Sequence, residues 1–244
     1  MVGPVALIGA GEFLPPMADI DRELLAGIAA RRPRVVVIPT ASWPDGEVTF
    51  RRWAAMGVEH FAGLGAEVEA VLVRDRADAD DAAFVQAVGE ADLVYLSGGH
   101  PGHLLETLRG SGVWAAARRA NERGAALVGC SAGAMVLGGR QVDWRRRLRR
   151  LPVPVRYPES LAVVPGCAIL PHYDRLPEPV AALMALQAPA GVTVLGVDEN
   201  TGLIGRDGSW QVRGAGRVTV WRGRHRTRHR AGDVIPIWKA EPAD

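Results

Sequence analysis

The segment Gly129-Cys130-Ser131-Ala132-Gly133 sets a hydroxyl beside a thiol, between an apolar run at 125–128 and an apolar helical stretch. It fits G-x-S-x-G, the nucleophile elbow, in which a sharp strand-to-helix turn lifts the serine oxygen out of the sheet. So tight a turn needs small residues two before and two after the nucleophile. Ser131 has Gly129 and Gly133 there, whereas Cys130 would have Val128 and Ala132, and Val128 fits poorly. The chemistry would be attack on a carbonyl carbon, with amides at a helix start favouring the negative charge that develops.

A serine needs a base, and the chain has six histidines. His225 and His229 lie in an Arg-rich stretch and are expected to face solvent. His60 falls on a helix, as a surface or core-edge residue, and His103 just precedes a helical run. His172 directly follows the apolar run Ala168-Ile169-Leu170-Pro171 and is the first candidate; His100, also after a strand, is its rival. The imidazole in turn needs an orienting acid. Glu199, after the run at 193–197, is the first choice, with Asp174, Asp198 and Asp143 as alternatives. Asp198 and Glu199 alternate in direction, so one of them faces the site. An oxyanion hole needs two converging amides: that of Ala132 follows from the elbow, and Gly98-Gly99 points to Gly99 as the second.

These residues share a location. Short apolar runs at 5–9, 34–39, 68–73, 92–96 and 125–128 alternate with helical stretches at 20–30, 51–64, 80–88, 104–109 and 113–123. Continuous apolar strands between helices indicate a parallel sheet covered on both faces, so the fold class is α/β, doubly wound. Ligands of such sheets bind at the carboxyl ends of the strands. Further strands are expected at 168–170 and 193–197, with a helix at 179–187, and an antiparallel β-hairpin extension at about 202–238. An Arg-rich excursion is expected at about 140–158. With 244 residues and no linker or repeat, a single domain spanning 1–244 is the economical expectation.

Composition narrows the class. Apolar residues make up 48% and charged residues 23%, which excludes a disordered, collagenous or polytopic membrane chain. The uncharged run at the start is too short to cross a bilayer and lacks the marks of a signal peptide. Two cysteines make no disulfide framework, so a cytoplasmic location is expected. The net charge of +2 hides two clusters: seven Arg against one acid in residues 140–156, and seven Arg with no acid in 213–230. A solvated face is the expected role of both, with a nucleic-acid or other anionic partner as the alternative reading. Gly9-Ala10-Gly11 lacks the third glycine of a dinucleotide turn, and no Walker A or zinc spacing occurs.

Taken in order, Leu96-Ser97-Gly98-Gly99 with Leu104-Leu105, then Gly129-Cys130-Ser131-Ala132-Gly133-Ala134, Pro171-His172 and Asp198-Glu199-Asn200-Thr201 resemble the peptidase S51 family. That family holds aspartyl dipeptidase and cyanophycinase, within the class I glutamine amidotransferase-like superfamily. The resemblance covers about residues 5–221. It implies Ser131 as nucleophile, His172 as base, and the Gly99 and Ala132 amides as oxyanion hole. The cyanophycinase-like branch implies Glu199 as the acid; the dipeptidase branch would place it at Asp143. The intact Asp198–Thr201 block favours the former. Where the family often has Asn or Asp after the glycine pair, this chain has His100 and then Pro101. The resemblance implies hydrolysis of a small peptide or isopeptide amide, next to an acidic residue. His100, Asp174 and Arg175 are then the candidates for substrate binding, Arg175 as a carboxylate clamp. No metal or organic cofactor is implied, no membrane or nucleic-acid partner is expected, and a homodimer is the assembly considered. The alternatives are an amidotransferase-like enzyme using Cys130, and a non-catalytic anion-binding member of the fold.

Overall fold

Strands β1 (Val5–Ile8), β4 (Leu93–Leu96) and β5 (Ala126–Cys130) are buried residue for residue. Strands covered on both faces cannot alternate polar and apolar side chains, hence the unbroken apolar runs. In this computed structural model, which describes residues 1–143, 155–206 and 208–236, they form the centre of an eight-stranded sheet. Strands β2 (Arg34–Ile38) and β3 (Glu67–Ala70) continue it in parallel beyond β4. On the other side, β9 (Thr201–Arg206) pairs antiparallel with β1, followed by β10 (Ser209–Gly214) and β13 (Val234–Pro236).

The connecting helices are α1 (Ala18–Ala26), α2 (Glu47–Gly63), α3 (Ala82–Gly89), α4 (Pro101–Leu108), α5 (Gly112–Glu122) and α6 (Ala132–Leu137). Two carry clear start signals. Asp81 caps α3 by accepting from the amides of Ala83 and Phe84, and Ser111 caps α5 by accepting from that of Trp114. Fully buried α6 connects to β6 (Gly138–Arg140), which opens a second sheet.

That sheet runs β12-β11-β8-β7-β6, with β7 (Val164–Leu170), β8 (Thr193–Val197), β11 (Arg217–Arg222) and β12 (His225–Arg230). Helix α7 (Glu178–Leu186) joins β7 to β8, which pair in parallel. The antiparallel strands expected near the carboxyl end are present, and they divide between the sheets: β9, β10 and β13 extend the first, β11 and β12 the second. One apolar cluster bridges the two, holding Leu203, Val212 and Ile235 of the first sheet with Val164, Leu195, Val197 and Val218 of the second.

Register sets the functional edge. Ile8 is level with Cys130, Gly129 with Leu96, and Leu96 with Ile38, so four parallel strands end together. The loops leaving them crowd one rim. Most of the Arg-rich stretch, including Arg145 to Arg150, lies outside the described residues, as do Asp207 and residues 237–244. No helix among the described residues is long and apolar enough to cross a membrane.

Candidate active site

Ser131 sits between β5 and α6 with φ 51° and ψ −109°, a strained conformation for a residue bearing a Cβ. The surroundings enforce it. A Cβ on Gly129 would lie 2.5 Å from the Gly133 carbonyl, and one on Gly133 would lie 2.1 Å from the Leu96 carbonyl oxygen. Only glycines let the turn fold this tightly against β4. The Ser131 amide donates to the Ile8 carbonyl at 2.9 Å, tying the elbow to β1. Helix α6 has only six residues, so any favourable field at its start comes from local amides more than from a macrodipole.

His172 lies one residue beyond Pro171, at the end of β7, with φ 51° and ψ 38°. Its placement depends on the next residue. The ring of Tyr173 lies so close over Gly196 of β8 that a Cβ there would be 2.1 Å from a ring carbon. The Tyr173 hydroxyl accepts from the Trp221 indole at 2.9 Å. With that ring fixed, the imidazole is held over the elbow: Nε2 is 3.0 Å from the Ser131 Oγ, and Nδ1 is 3.0 Å from Glu199 Oε1.

Glu199 occupies the loop between β8 and β9. Its second oxygen accepts from Arg175 Nη2 at 3.0 Å and Nε at 3.2 Å. Its own amide donates to Asp174 Oδ1 at 2.8 Å. Hydrogen bonds from His172 and then Arg175 hold its carboxyl below the usual carboxylate range. Asp198 points the other way, accepting from the Arg217 amide at 2.9 Å, and burial raises its pKa. The alternation along this segment therefore brings Glu199, and not Asp198, to the imidazole. Asp143 pairs through its backbone with Arg156, its amide donating to the Arg156 carbonyl at 3.0 Å.

The glycine pair after β4 lies against the elbow. A Cβ on Gly98 would be 3.2 Å from Ser131 Cβ, and Gly99, at φ 137°, would place one 2.3 Å from the Ala41 carbonyl oxygen. His100 is bonded to Asp45 through Nε2 at 2.6 Å. His103 contacts the Arg74 carbonyl, and His60, half-buried at the edge of the core, is bonded to Asp21 at 2.8 Å. His225 is exposed and His229 half-buried, both on β12.

Cys130 points into the core with Phe13 and Tyr95 and has no exposed surface. Its thiol donates to Glu12 Oε2 at 3.0 Å, and burial, then the nearby carboxylate, push its pKa well up. Such a thiol is a poor nucleophile. Spacing gave Glu12 no role, yet it is buried beneath the elbow. The available signal was a carboxyl group closing the run Gly9-Ala10-Gly11 at a strand end.

Comparison with known proteins places the fold and the family. A crystal structure of a peptidase from an acI-B1 actinobacterium is 30% identical, matches 97% of either chain and superposes with a TM-score of 0.85. A crystal structure from Listeria monocytogenes EGD-e that bears the name peptidase E shares the fold, with a TM-score of 0.64 at 16% identity over 88% of this chain and 100% of that one. The profile of Peptidase family S51 matches residues 5–213. The chain belongs to peptidase family S51.

Proposed function

We propose that the chain is a serine peptidase in which Ser131 is the nucleophile, His172 the general base and Glu199 the orienting acid. The observation carrying this reading is the unbroken relay from Ser131 Oγ to His172 Nε2, and from Nδ1 to Glu199 Oε1, each link 3.0 Å. Glu199 favours the tautomer that bears its proton on Nδ1, which leaves Nε2 free to accept from the hydroxyl. Ser131 attacks the amide carbonyl as its proton passes to His172. The Gly99 and Ala132 amides receive the oxyanion; the Ser131 amide, committed to Ile8, takes no part. The imidazolium protonates the leaving amine, and water then releases the acyl group by the reverse sequence.

The substrate in this reading is a small peptide or isopeptide with an acidic residue at the cleaved bond. Arg175 supports that choice: it spends one edge of its guanidinium on Glu199 while its side chain is 71% exposed, so another edge is open to a carboxylate. His100 lies beside the glycine pair as a second substrate contact. The two buried free thiols fit a reducing compartment, the cytoplasm.

A fluorophosphonate probe tests the nucleophile. Labelling should vanish in Ser131→Ala and persist in Cys130→Ala; the reverse pattern would transfer the role to the thiol. Digestion of a peptide library should place cuts beside Asp or Glu in the wild type, with none in Ser131→Ala. Cuts spread evenly over residue types would remove the acidic specificity.

A further inference from the structure

Glu12 is a buried carboxyl group at the rim of the site that the reaction above leaves unused. Only 4% of it is exposed. Its two oxygens reach two different segments, the turn after β4 and the end of β5. Oε1 accepts from the Gly98 amide at 2.8 Å, and Oε2 accepts from the Cys130 thiol at 3.0 Å. Each partner immediately precedes one arm of the site: Gly98 leads into Gly99, and Cys130 into Ser131 and Ala132. The backbone just before Glu12 grips the remaining arm, since the Gly9 amide donates to the Thr201 carbonyl and the Asn200 amide donates to that of Ala10. A carboxyl group out of water needs hydrogen-bond partners, and here each oxygen accepts from a donor on one of the segments that must be aligned.

We propose that Glu12 is a positioning residue that sets the spacing of the oxyanion hole by clamping the Gly98-Gly99 turn to the nucleophile elbow. This rests on the Ser131 reading. Without the clamp, the Gly99 amide is free to rock away from that of Ala132, and the transition state loses stabilisation that bound substrate does not feel. The span of the side chain matters as well as its polarity. Aspartate keeps the carboxyl group but is one methylene too short to meet both segments. Glutamine keeps an acceptor for Gly98 and offers an N–H to the Cys130 sulfur.

The test is the concentration dependence of inactivation by an alkyl fluorophosphonate, which separates the limiting rate of phosphonylation from the affinity of the initial complex. Glu12→Met should lower the limiting rate by about ten- to a hundred-fold, within the cost of losing an oxyanion donor, and leave initial affinity within about two-fold. Glu12→Gln should recover about ten-fold of that loss, which a merely packing role would not allow. If the methionine variant does not fold, as judged by circular dichroism, Glu12→Asp carries the test and should slow the limiting rate by about ten-fold. A limiting rate within about three-fold of wild type in folded Glu12→Met or Glu12→Asp, or a loss confined to initial affinity, would overturn the proposal. Ser131→Ala runs in parallel. If it still labels, the nucleophile assignment has failed; if it is silent while the Glu12 variants react normally, only the clamp has failed.

Discussion

At the scale of single residues, the site is held by charge and by crowding. His172 and then Arg175 hydrogen-bond the Glu199 carboxylate, so it stays ionised below its ordinary value of 4.5. A depressed carboxylate pKa stabilises the folded chain above the unfolded value and ceases to do so as pH falls through the folded one. Glu199→Gln should therefore lower stability by a constant amount above pH 4.5, with the gap to wild type closing in more acid solution; chemical denaturation across pH measures this. The same variant should lose about three to four orders of magnitude in kcat at neutral pH, since an amide no longer enforces the productive imidazole tautomer. Steady-state kinetics on a peptide found in the library digest gives that figure, and a loss under ten-fold would remove Glu199 from the relay.

At the scale of elements, each strand end delivers one part of the site, and the turns between strand and helix fix the delivery. Gly133 faces the Leu96 carbonyl so closely that Gly133→Ala must push α6 off β4, at a cost of about 2–3 kcal/mol in urea unfolding. Gly102, near the start of α4, has open space and an ordinary φ. Gly102→Ala should be neutral or should stabilise by up to about 1 kcal/mol, because only the unfolded chain loses freedom. This contrast also shows what was legible in the sequence. The elbow could be read because its glycine spacing is local, and so could the alternation of apolar runs with helices. The destinations of β9 to β13 could not, since short antiparallel strands look alike until their partners are known. The role of Glu12 escaped notice for a related reason. A carboxyl group declares itself buried only when segments 86 and 118 residues further along fold over it. His60 likewise depends on Asp21, a partner on another helix.

At the scale of the whole molecule, one apolar cluster runs through both sheets and joins them, while each sheet packs a further cluster of its own. We propose a single folding unit on that basis. Calorimetry should give one transition whose van't Hoff and calorimetric enthalpies agree. Two resolved transitions would separate the sheets into independent units. Ser131 hangs from the first sheet, while His172 ends a strand of the second and Glu199 lies where the chain crosses from one to the other. In the relay we propose, proton transfer is thus gauged across a seam between two layers. Gentle warming or dilute urea that lets those layers slip by under an ångström would silence turnover while circular dichroism still reads native, so the enzyme would fail as a machine before it failed as a fold.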